Sequence, residues 1–179
     1  MAKLGFVFHG ERCNGCAACV IACKEEKGLP DGVWLRTRKE NPHDWSFLTQ
    51  PCNHCDEPAC LAACPVKAYH KEPNGLVIQD HAKCIGCQAC VKACPWQVPS
   101  YSVEEKKVYK CDGCIARLKD GKRPACLEAC PAEAIEFGDI DELRQRYPNV
   151  EEGFAWAKKA FGYPDPHRTQ ANVVIVPLK

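Results

Sequence analysis

The sixteen cysteines of this 179-residue chain are its most constraining feature, because they fall into four groups of four. Each group ends with two cysteines that are separated by three residues, and no cysteine lies outside the pattern. Repeated short spacings of this kind are typical of chains that ligate iron-sulfur clusters through thiolates. The groups are Cys13, Cys16, Cys19, Cys23; Cys52, Cys55, Cys60, Cys64; Cys84, Cys87, Cys90, Cys94; and Cys111, Cys114, Cys126, Cys130.

The first and third groups have the Cys-x2-Cys-x2-Cys-x3-Cys spacing of bacterial iron-sulfur proteins. Three thiolates with this spacing reach one cluster from a single loop, whereas the fourth lies about one helical turn further on. In two-cluster ferredoxins the fourth thiolate ligates the other cluster, so the motifs work in reciprocal pairs. We therefore predict four clusters, all of the [4Fe-4S] type, with all sixteen cysteines as iron ligands.

The second and fourth groups are longer, with residues 56–59 and 115–125 inserted between their second and third cysteines. Such an insertion leaves ligation feasible, because only the final positions of the sulfur atoms matter. A proline directly follows the last cysteine of three groups, but Lys24 follows Cys23. We expect a single helical turn between the third and fourth cysteines of every group, with the proline ending it.

Disulfides and structural zinc are the alternative uses of so many cysteines. A disulfide framework belongs to short secreted chains, and this sequence begins with no apolar signal-peptide stretch. Zinc suits pairs of Cys-x2-Cys motifs, but zinc sites rarely need a third cysteine at the same spacing followed by Cys-Pro. His54 lies inside a group that already has four thiols, so we expect it to donate or accept a hydrogen bond rather than ligate iron.

Charge and hydrophobicity exclude several functions. The formal charge is +1, but sixteen thiolates and four oxidised cores bring the loaded protein to about −7, which disfavours nucleic acid as a partner. No run of eighteen apolar residues is present, so we expect a soluble chain that does not span a membrane. The sequence also lacks a nucleophile triad, a G-x-G-x-x-G motif and a phosphate loop, and we expect no catalytic site of its own.

The groups repeat in the order short, long, short, long. Residues 13–23 parallel residues 84–94, and the Pro-Ala-Cys-Leu-x-Ala-Cys-Pro stretch that begins at Pro58 recurs at Pro124. This repetition predicts two ferredoxin-like modules related by internal pseudo-symmetry, each built from one short and one long group. Spacing alone leaves open whether the groups pair sequentially or in a nested order.

The gaps between the groups predict an α+β fold with short β-hairpins and peripheral helices. Residues 68–70 and 76–78 flank the turn-forming Glu72-Pro-Asn-Gly75 and predict a hairpin. We expect further strands at residues 4–8, 108–110, 134–137 and 173–176. Residues 139–146, opened by an acidic cap, and residues 153–161 predict helices.

Two segments without cysteines have open alternatives. Residues 29–50, which include Trp34 and Trp45, are either an extended hairpin that covers a cluster or a docking surface for a partner subunit. Residues 163–179 are either a loose end or an arm on a partner. The basic residues Arg117, Lys119, Lys122 and Arg123 are interpreted as a solvated loop tip or as charges that face a cluster.

The chain resembles, over almost its whole length, the four-cluster electron-transfer subunit of molybdopterin oxidoreductases. The resemblance is greatest to the dimethyl sulfoxide reductase iron-sulfur subunit, and the corresponding electron-transfer subunits of polysulfide and thiosulfate reductases are similar. The motifs specify the type of subunit far better than the substrate. The segments that carry the resemblance are Cys52-Asn-His-Cys55-Asp-Glu-Pro-Ala-Cys60, Cys84-Ile-Gly-Cys87, Lys110-Cys-Asp-Gly-Cys114, Gly121-Lys-Arg-Pro-Ala-Cys126 and Phe137-Gly-Asp-Ile-Asp-Glu-Leu143.

The resemblance implies nested pairing, first group with fourth and second with third. The implied modules are residues 1–28 plus 105–145, and residues 50–104. Residues 29–49 become an inserted hairpin, and residues 146–179 a C-terminal helix and arm. The implied ligand sets are Cys13, Cys16, Cys19, Cys130; Cys23, Cys111, Cys114, Cys126; Cys52, Cys55, Cys60, Cys94; and Cys64, Cys84, Cys87, Cys90.

The resemblance also implies a function: single electrons pass through the clusters between two partner subunits, without a small-molecule substrate on this chain. One partner is a catalytic subunit that holds molybdenum or tungsten on a molybdopterin, and the other is a quinone-reactive membrane subunit of a respiratory reductase or dehydrogenase. The expected location is peripheral, on the periplasmic face after co-export, with the cytoplasm as the alternative. The alternative functions are electron carrier of a soluble formate dehydrogenase or hydrogenase assembly, and a zinc-stabilised interaction module.

Removal of iron tests how far folding depends on the clusters. Because cysteines that bind metal cannot serve as ordinary core residues, and binding supplies folding free energy, we expect the iron-free chain to be largely disordered. Circular dichroism during thermal melting should show no cooperative transition for iron-depleted protein. A cooperative transition in fully depleted material would contradict this expectation.

Overall fold

The computed structural model describes residues 2–178, so Met1 and Lys179, the outer ends of the first and last predicted segments, lie outside it. In chain order the strands are β1 Leu4–His9, β2 Thr37–Asn41, β3 Ser46–Gln50, β4 Tyr69–Lys71, β5 Val77–Gln79, β6 Ser100–Ser102, β7 Lys107–Tyr109, β8 Ile135–Asp139 and β9 Val173–Val176. The helices are α1 Ala18–Lys27, α2 Ala59–Ala62, α3 Ala89–Ala93, α4 Ile115–Lys119, α5 Ala125–Glu128, α6 Ile140–Arg146 and α7 Val150–Phe161. The predicted α+β class is confirmed.

A three-stranded sheet joins the two ends of the chain. Its order is β8-β1-β9, with β1 antiparallel to β8 and parallel to β9. The apolar run Phe6, Val7 and Phe8 is buried in this sheet. The sheet therefore brings the first cysteine group, which follows β1, next to the fourth group, which precedes β8.

Three two-stranded hairpins complete the β-structure: β2 with β3, β4 with β5, and β6 with β7. The β4–β5 hairpin is the predicted one, and Gly75 takes the positive φ of 83° that its turn requires. Strand β6 has no counterpart among the expected strands, because three residues that include two serines give too short a signal. The β2–β3 hairpin lies within the segment 29–50 and buries Leu48 and Thr49.

Helix α1 corrects the expectation of a single turn in every group. Helices α2, α3 and α5 span four or five residues, but α1 spans ten and continues past Cys23 to Lys27. The reason is local: Lys24 has an N–H and no ring, so it can extend the helix where the other groups have proline. Gly28 then ends α1 in the left-handed conformation, at φ 53°.

The two C-terminal helices follow from their caps and their packing. Helix α6 begins after Asp139, whose carboxylate accepts from the N–H groups of Asp141 and Glu142, as the sequence predicts. Helix α7 begins three residues earlier than predicted and lies against β9. A Cβ on Gly153 would lie 1.7 Å from the carbonyl oxygen of Ile175, so only glycine permits this contact.

The segment after α7 is not a loose end, so that alternative is wrong, whereas an arm on a partner stays a prediction. Residues 163–176 pack on this chain itself and reach the second cysteine group. The Asn172 side chain, which is fully buried, donates from Nδ2 to the backbone oxygen of His54 at 2.8 Å and to Asp56 Oδ1 at 3.0 Å. Tyr163 is buried and accepts at its hydroxyl from Asn53 Nδ2. Among the described residues, no helix combines the length and the apolar character needed to cross a membrane.

The Asn172 contacts predict a stability effect. Asn172→Ala leaves the backbone oxygen of buried His54 without its side-chain donor, a loss of about 1–3 kcal/mol, whereas Asp56 Oδ1 keeps its bond from Lys71 Nζ. The melting temperature should fall by several degrees, since each kcal/mol shifts it by about 2–4 °C in a chain of this size. The matched control is Gln170→Ala, which removes an exposed contact to Glu57. Equal melting temperatures for the two variants would contradict the anchoring role of Asn172.

Candidate metal centres

The two short groups adopt the same backbone conformation. Gly15 and Gly86, each before the second cysteine of its group, have φ of 74° and 70°. Ala17 and Gln88, each after that cysteine, are left-handed at φ 63° and 60° and start helices α1 and α3. Close packing also favours glycine at Gly86, where a Cβ would lie 2.0 Å from the oxygen of Lys106. Each short group therefore wraps its first three cysteines around one point.

The two long groups share a second conformation. His54 and Gly113 stand before the second cysteine, with φ of 43° and 67°. In each case the backbone N–H donates to the sulfur of the first cysteine, from His54 to Cys52 and from Gly113 to Cys111, both at 3.4 Å. These bonds stabilise negative charge on the sulfur, which prepares it to act as a thiolate ligand.

Backbone donors also point at the fourth cysteines of the long groups. The N–H of Ala68 donates to Cys64 and that of Ala134 to Cys130, in both cases at 3.3 Å. Each of these donors lies four residues after its cysteine, in the stretch that leads to β4 or to β8. The matching geometry shows that the second and fourth groups present their last sulfur in the same way.

Two cavities are each lined by four cysteines that come from two different groups. The first is also lined by Trp96, Val77 and Thr169. The second is also lined by Tyr69 of β4 and by Val108. In both, three cysteines of one group meet the fourth cysteine of the other. The cysteines are Cys52, Cys55, Cys60 and Cys94 in the first cavity, and Cys64, Cys84, Cys87 and Cys90 in the second.

The remaining eight cysteines lie beside one another across the first and fourth groups. Burial raises the pKa of the Cys23 thiol to about 12, and the neighbouring Cys126 and Cys114 sulfurs add to this effect. Burial also raises the pKa of Cys13, and the sulfurs that add to the effect are those of Cys19, Cys130 and Cys16. The structure thus brings Cys126 and Cys114 near Cys23, and Cys130 near the first three cysteines.

Solvent exposure differs sharply among the sixteen cysteines. Cys16 and Cys87 are exposed, whereas the four cysteines around Cys23 and Cys111 are all buried. The set around the first cavity is nearly as deep, because only Cys94 is half-buried. Each of the other two sets contains one exposed cysteine. Two of these cysteine sets are therefore buried, and two reach the surface.

His54 lies between the two buried sets of cysteines. Its Nδ1 accepts from the Val77 N–H at 3.0 Å, and its Nε2 lies 3.9 Å from Cys111 Sγ. Burial lowers the pKa of His54 well below its usual range, and Lys110 and Lys71 lower it further. The ring is therefore neutral, with its proton on Nε2, and it donates toward Cys111. This is the hydrogen-bonding role expected from the sequence.

Lys110 lies at the same junction. It is buried, its Nζ is 3.7 Å from Cys52 Sγ, and it donates to the backbone oxygens of Val77 and Cys111. The ammonium group thus contacts a cysteine of the first cavity and the backbone of a cysteine from the other buried centre.

Arg36 is a functional candidate that the sequence did not single out. Its side chain is fully buried, and Nη2 donates to Cys126 Sγ at 3.6 Å while Nη1 donates to Thr49 Oγ1 at 2.7 Å. Burial lowers the pKa of the guanidinium, but nearby sulfurs, with Cys126 and Cys19 foremost, more than compensate and hold it above its usual value. No local motif marks Arg36, because its partners lie far along the chain.

Thr169 is a second residue without a sequence signal. Its hydroxyl donates to Cys55 Sγ at 3.1 Å and accepts from Trp96 Nε1 at 3.1 Å. The C-terminal segment thus places a polar group on a cysteine that is 114 residues away in the chain.

These features together suit [4Fe-4S] groups. Each cavity offers four sulfur donors and an apolar lining, and backbone N–H groups donate to several of the sulfurs, as iron-sulfur sites require. Within residues 2–178, no three His, Cys, Asp or Glu side chains converge closely enough to hold a single metal ion. The cysteine sulfurs would ligate such a cluster, and the surrounding residues would determine how polar its environment is.

Comparisons with known proteins agree with this chemistry. Residues 43–140 match a family described as a 4Fe-4S dicluster domain, and residues 10–26 match a 4Fe-4S binding domain. The probable anaerobic dimethyl sulfoxide reductase protein YnfG of Escherichia coli K12 is 39% identical over 98% of this chain and 89% of its own length. The B chain of anaerobic dimethyl sulfoxide reductase from Haemophilus influenzae is 38% identical over 100% of this chain and 91% of its own length.

The name of a third relative states its role. The thiosulfate reductase electron transfer subunit PhsB of Salmonella typhi is 36% identical over 76% of this chain and 76% of its own length. The resemblance stated from the motifs is confirmed: the chain belongs to the family of 4Fe-4S subunits that includes the B chains of anaerobic dimethyl sulfoxide reductase.

Proposed function

We propose that this chain is the electron-transfer subunit of a respiratory reductase or dehydrogenase complex. It relays single electrons through four [4Fe-4S] clusters between a molybdopterin catalytic subunit and a quinone-reactive membrane subunit. The observation that carries the proposal is the meeting of three cysteines of one group with the fourth of another around each of two cavities. Relatives that are named as reductase B chains and as an electron transfer subunit support the same role.

The proposed ligand sets follow the nested order. The two cavities support two of the sets, and the proximity of Cys23 to Cys126 and of Cys13 to Cys130 supports the others. In order along the proposed relay, the sets are Cys13, Cys16, Cys19, Cys130; Cys23, Cys111, Cys114, Cys126; Cys52, Cys55, Cys60, Cys94; and Cys64, Cys84, Cys87, Cys90. We refer to them as centres one to four.

The proposed modules follow the same pairing. Residues 1–28 with 105–145 form one ferredoxin-like module with centres one and two, and residues 50–104 form the other, with centres three and four. Residues 29–49 are the hairpin that covers the first module, and residues 146–179 are the C-terminal extension. The shared conformation of the short groups, and of the long groups, supports pseudo-symmetry between the modules.

The proposed order of the relay rests on the solvent exposure of the cysteines and on the contacts of His54 and Lys110 between the two buried centres. Centres one and four contain the exposed Cys16 and Cys87, and are suited to exchange electrons with partner subunits. Centres two and three are buried and meet through His54 and Lys110. A [4Fe-4S] cluster takes up and releases one electron at a time, at a potential that local charge, hydrogen bonds to sulfur and solvent exposure determine.

The chain's own residues perform the remaining tasks. Backbone N–H groups donate to Cys52, Cys64, Cys111 and Cys130 and so stabilise the charge on those sulfurs. Apolar walls, such as Trp96 beside the third centre, exclude water from the interior of the protein. No step requires a substrate on this chain, which is consistent with a purely electron-transferring role.

The proposed location is peripheral, held at the membrane by a partner subunit. We place the complex on the periplasmic face after co-export with the catalytic chain, with the cytoplasm as the alternative. The relatives' names support assembly into a reductase, since one is a B chain of dimethyl sulfoxide reductase and another is the tetrathionate reductase B subunit of Salmonella typhimurium.

Cysteine substitutions test the ligand sets. Cys60→Ser and Cys94→Ser should each change the same electron paramagnetic resonance signal, because both side chains line the first cavity. Cys64→Ser should change a different signal, although Cys64 is closer to Cys60 in the sequence than Cys94 is. If Cys94→Ser instead changes the signal that Cys64→Ser changes, the nested assignment is wrong.

Isolation of the native complex tests the partners. Affinity purification of this chain from native membranes should recover a molybdopterin-containing protein and a multi-span membrane protein, identified by mass spectrometry and metal analysis. A control purification after a high-salt wash, which removes proteins bound only through surface charge, should retain the catalytic partner. Recovery of a hydrogenase subunit, without any membrane protein, would contradict the proposal and favour the soluble electron carrier.

A further inference from the structure

In the part of the chain that the structure describes, Arg36 and Lys110 are both buried cations without a carboxylate partner, and Arg36, at 2% exposed, is the more deeply buried of the two. Within residues 2–178, no aspartate or glutamate forms an ion pair with it, and its Nε has no hydrogen-bond partner. The guanidinium centre lies 5.7 Å from the ring of Phe6, in an apolar cavity that Leu48 also lines. A buried, unpaired cation is costly, so its environment must supply negative charge elsewhere.

Sulfur atoms are the negative groups that this environment offers. Arg36 Nη2 donates to Cys126 Sγ at 3.6 Å. Cys126 is also foremost among the sulfurs that interact electrostatically with the guanidinium, followed by Cys19, Cys111 and Cys23. Three of these four cysteines belong to the second centre, and the fourth belongs to the first. The positive charge therefore lies closest to the ligands of centre two.

Thr49 holds the guanidinium in this place. Its hydroxyl accepts from Arg36 Nη1 at 2.7 Å, and Thr49 is itself buried. Strand β3, which carries Thr49, is paired with β2, which begins directly after Arg36. The hairpin 29–49 thus places a permanent cation in the interior, in addition to covering the first module.

We propose that Arg36 sets the reduction potential of centre two by placing a permanent positive charge beside Cys126. The inference rests on the proposed function, since it requires a cluster held by Cys23, Cys111, Cys114 and Cys126. Reduction adds one electron and makes the cluster more negative, and burial without compensation disfavours that state. The guanidinium offsets this effect and transfers neither a proton nor an electron. Without it, the buried centre would resist reduction and interrupt the relay.

Redox potentiometry of the intact complex, followed by electron paramagnetic resonance, tests the inference. Arg36→Met removes the charge and should make reduction of one centre at least about tenfold less favourable, or about 59 mV lower for a one-electron couple. Arg36→Lys keeps the charge but not the paired hydrogen bonds of the guanidinium, and should change the equilibrium by less than about threefold. The affected step should be the one whose signal Cys114→Ser alters.

Lys39→Met is the matched control. Lys39 lies three residues along the same hairpin but is exposed, so solvent screens its charge and all four midpoints should stay unchanged. If Arg36→Met fails to assemble its clusters, Thr49→Val serves as the test instead. It removes the hydrogen bond that holds the guanidinium, and should make reduction of the same centre about threefold less favourable.

The failures of the two proposals are distinguishable. Fewer than four reducible centres in the unmodified complex, or no signal altered by Cys114→Ser, would refute the proposed ligand sets. Four centres with the same midpoints in Arg36→Met, or in Thr49→Val if the former cannot be loaded, would refute the role of Arg36. Equal shifts in Arg36→Met and Arg36→Lys would also refute it, because they would show that packing rather than charge sets the potential.

Discussion

The exchange of the fourth cysteine between groups is the constraint on which the rest of the structure depends. In the two short groups, three sulfurs meet around one point because their loop is short and left-handed at fixed positions, while the fourth is carried away on a helical turn. That turn reaches another group only if distant parts of the chain are packed together. The sheet β8-β1-β9 and the C-terminal segment accomplish this, and the cysteines themselves fill much of the core.

Charge is the second consequence of this arrangement. A protein that buries so many sulfur ligands must stabilise their negative charge while still allowing reduction. Most of the groups that do so here are neutral hydrogen-bond donors. Backbone N–H groups, Thr169 and the neutral ring of His54 all point at sulfur atoms. Two buried cations, Arg36 and Lys110, add full charges beside the two deepest centres. Depth and charge compensation therefore occur together, whereas the cysteine sets that include Cys16 and Cys87 reach the solvent.

Local patterns predict most of the secondary structure, because each relies on a short-range cause. The acidic cap at Asp139 and the turn at Gly75 are examples of such causes, and both are found as predicted. The missing proline after Cys23 has an equally local effect, a longer α1, so the single-turn expectation failed at a position where the sequence already held the reason. Cysteine spacing indicates the cofactor type, which the family matches bear out.

Long-range contacts cannot be predicted in the same way. Spacing leaves nested and sequential pairing open, because it says nothing about which fourth cysteine meets which group. Arg36, Thr169 and Asn172 act on cysteines or backbone far along the chain, so no window of sequence contains both partners. The tail is not a loose end for the same reason, since its proline-rich composition gives no sign of the buried contacts of Tyr163 and Asn172.

The most direct test of the account is the iron and acid-labile sulfide content of anaerobically isolated protein, measured per polypeptide together with zinc. Four cubane clusters predict about sixteen iron and about sixteen sulfide atoms, with negligible zinc. Far lower iron, with zinc or disulfides accounting for the cysteines, would contradict the central claim that these sulfur atoms hold four redox-active clusters.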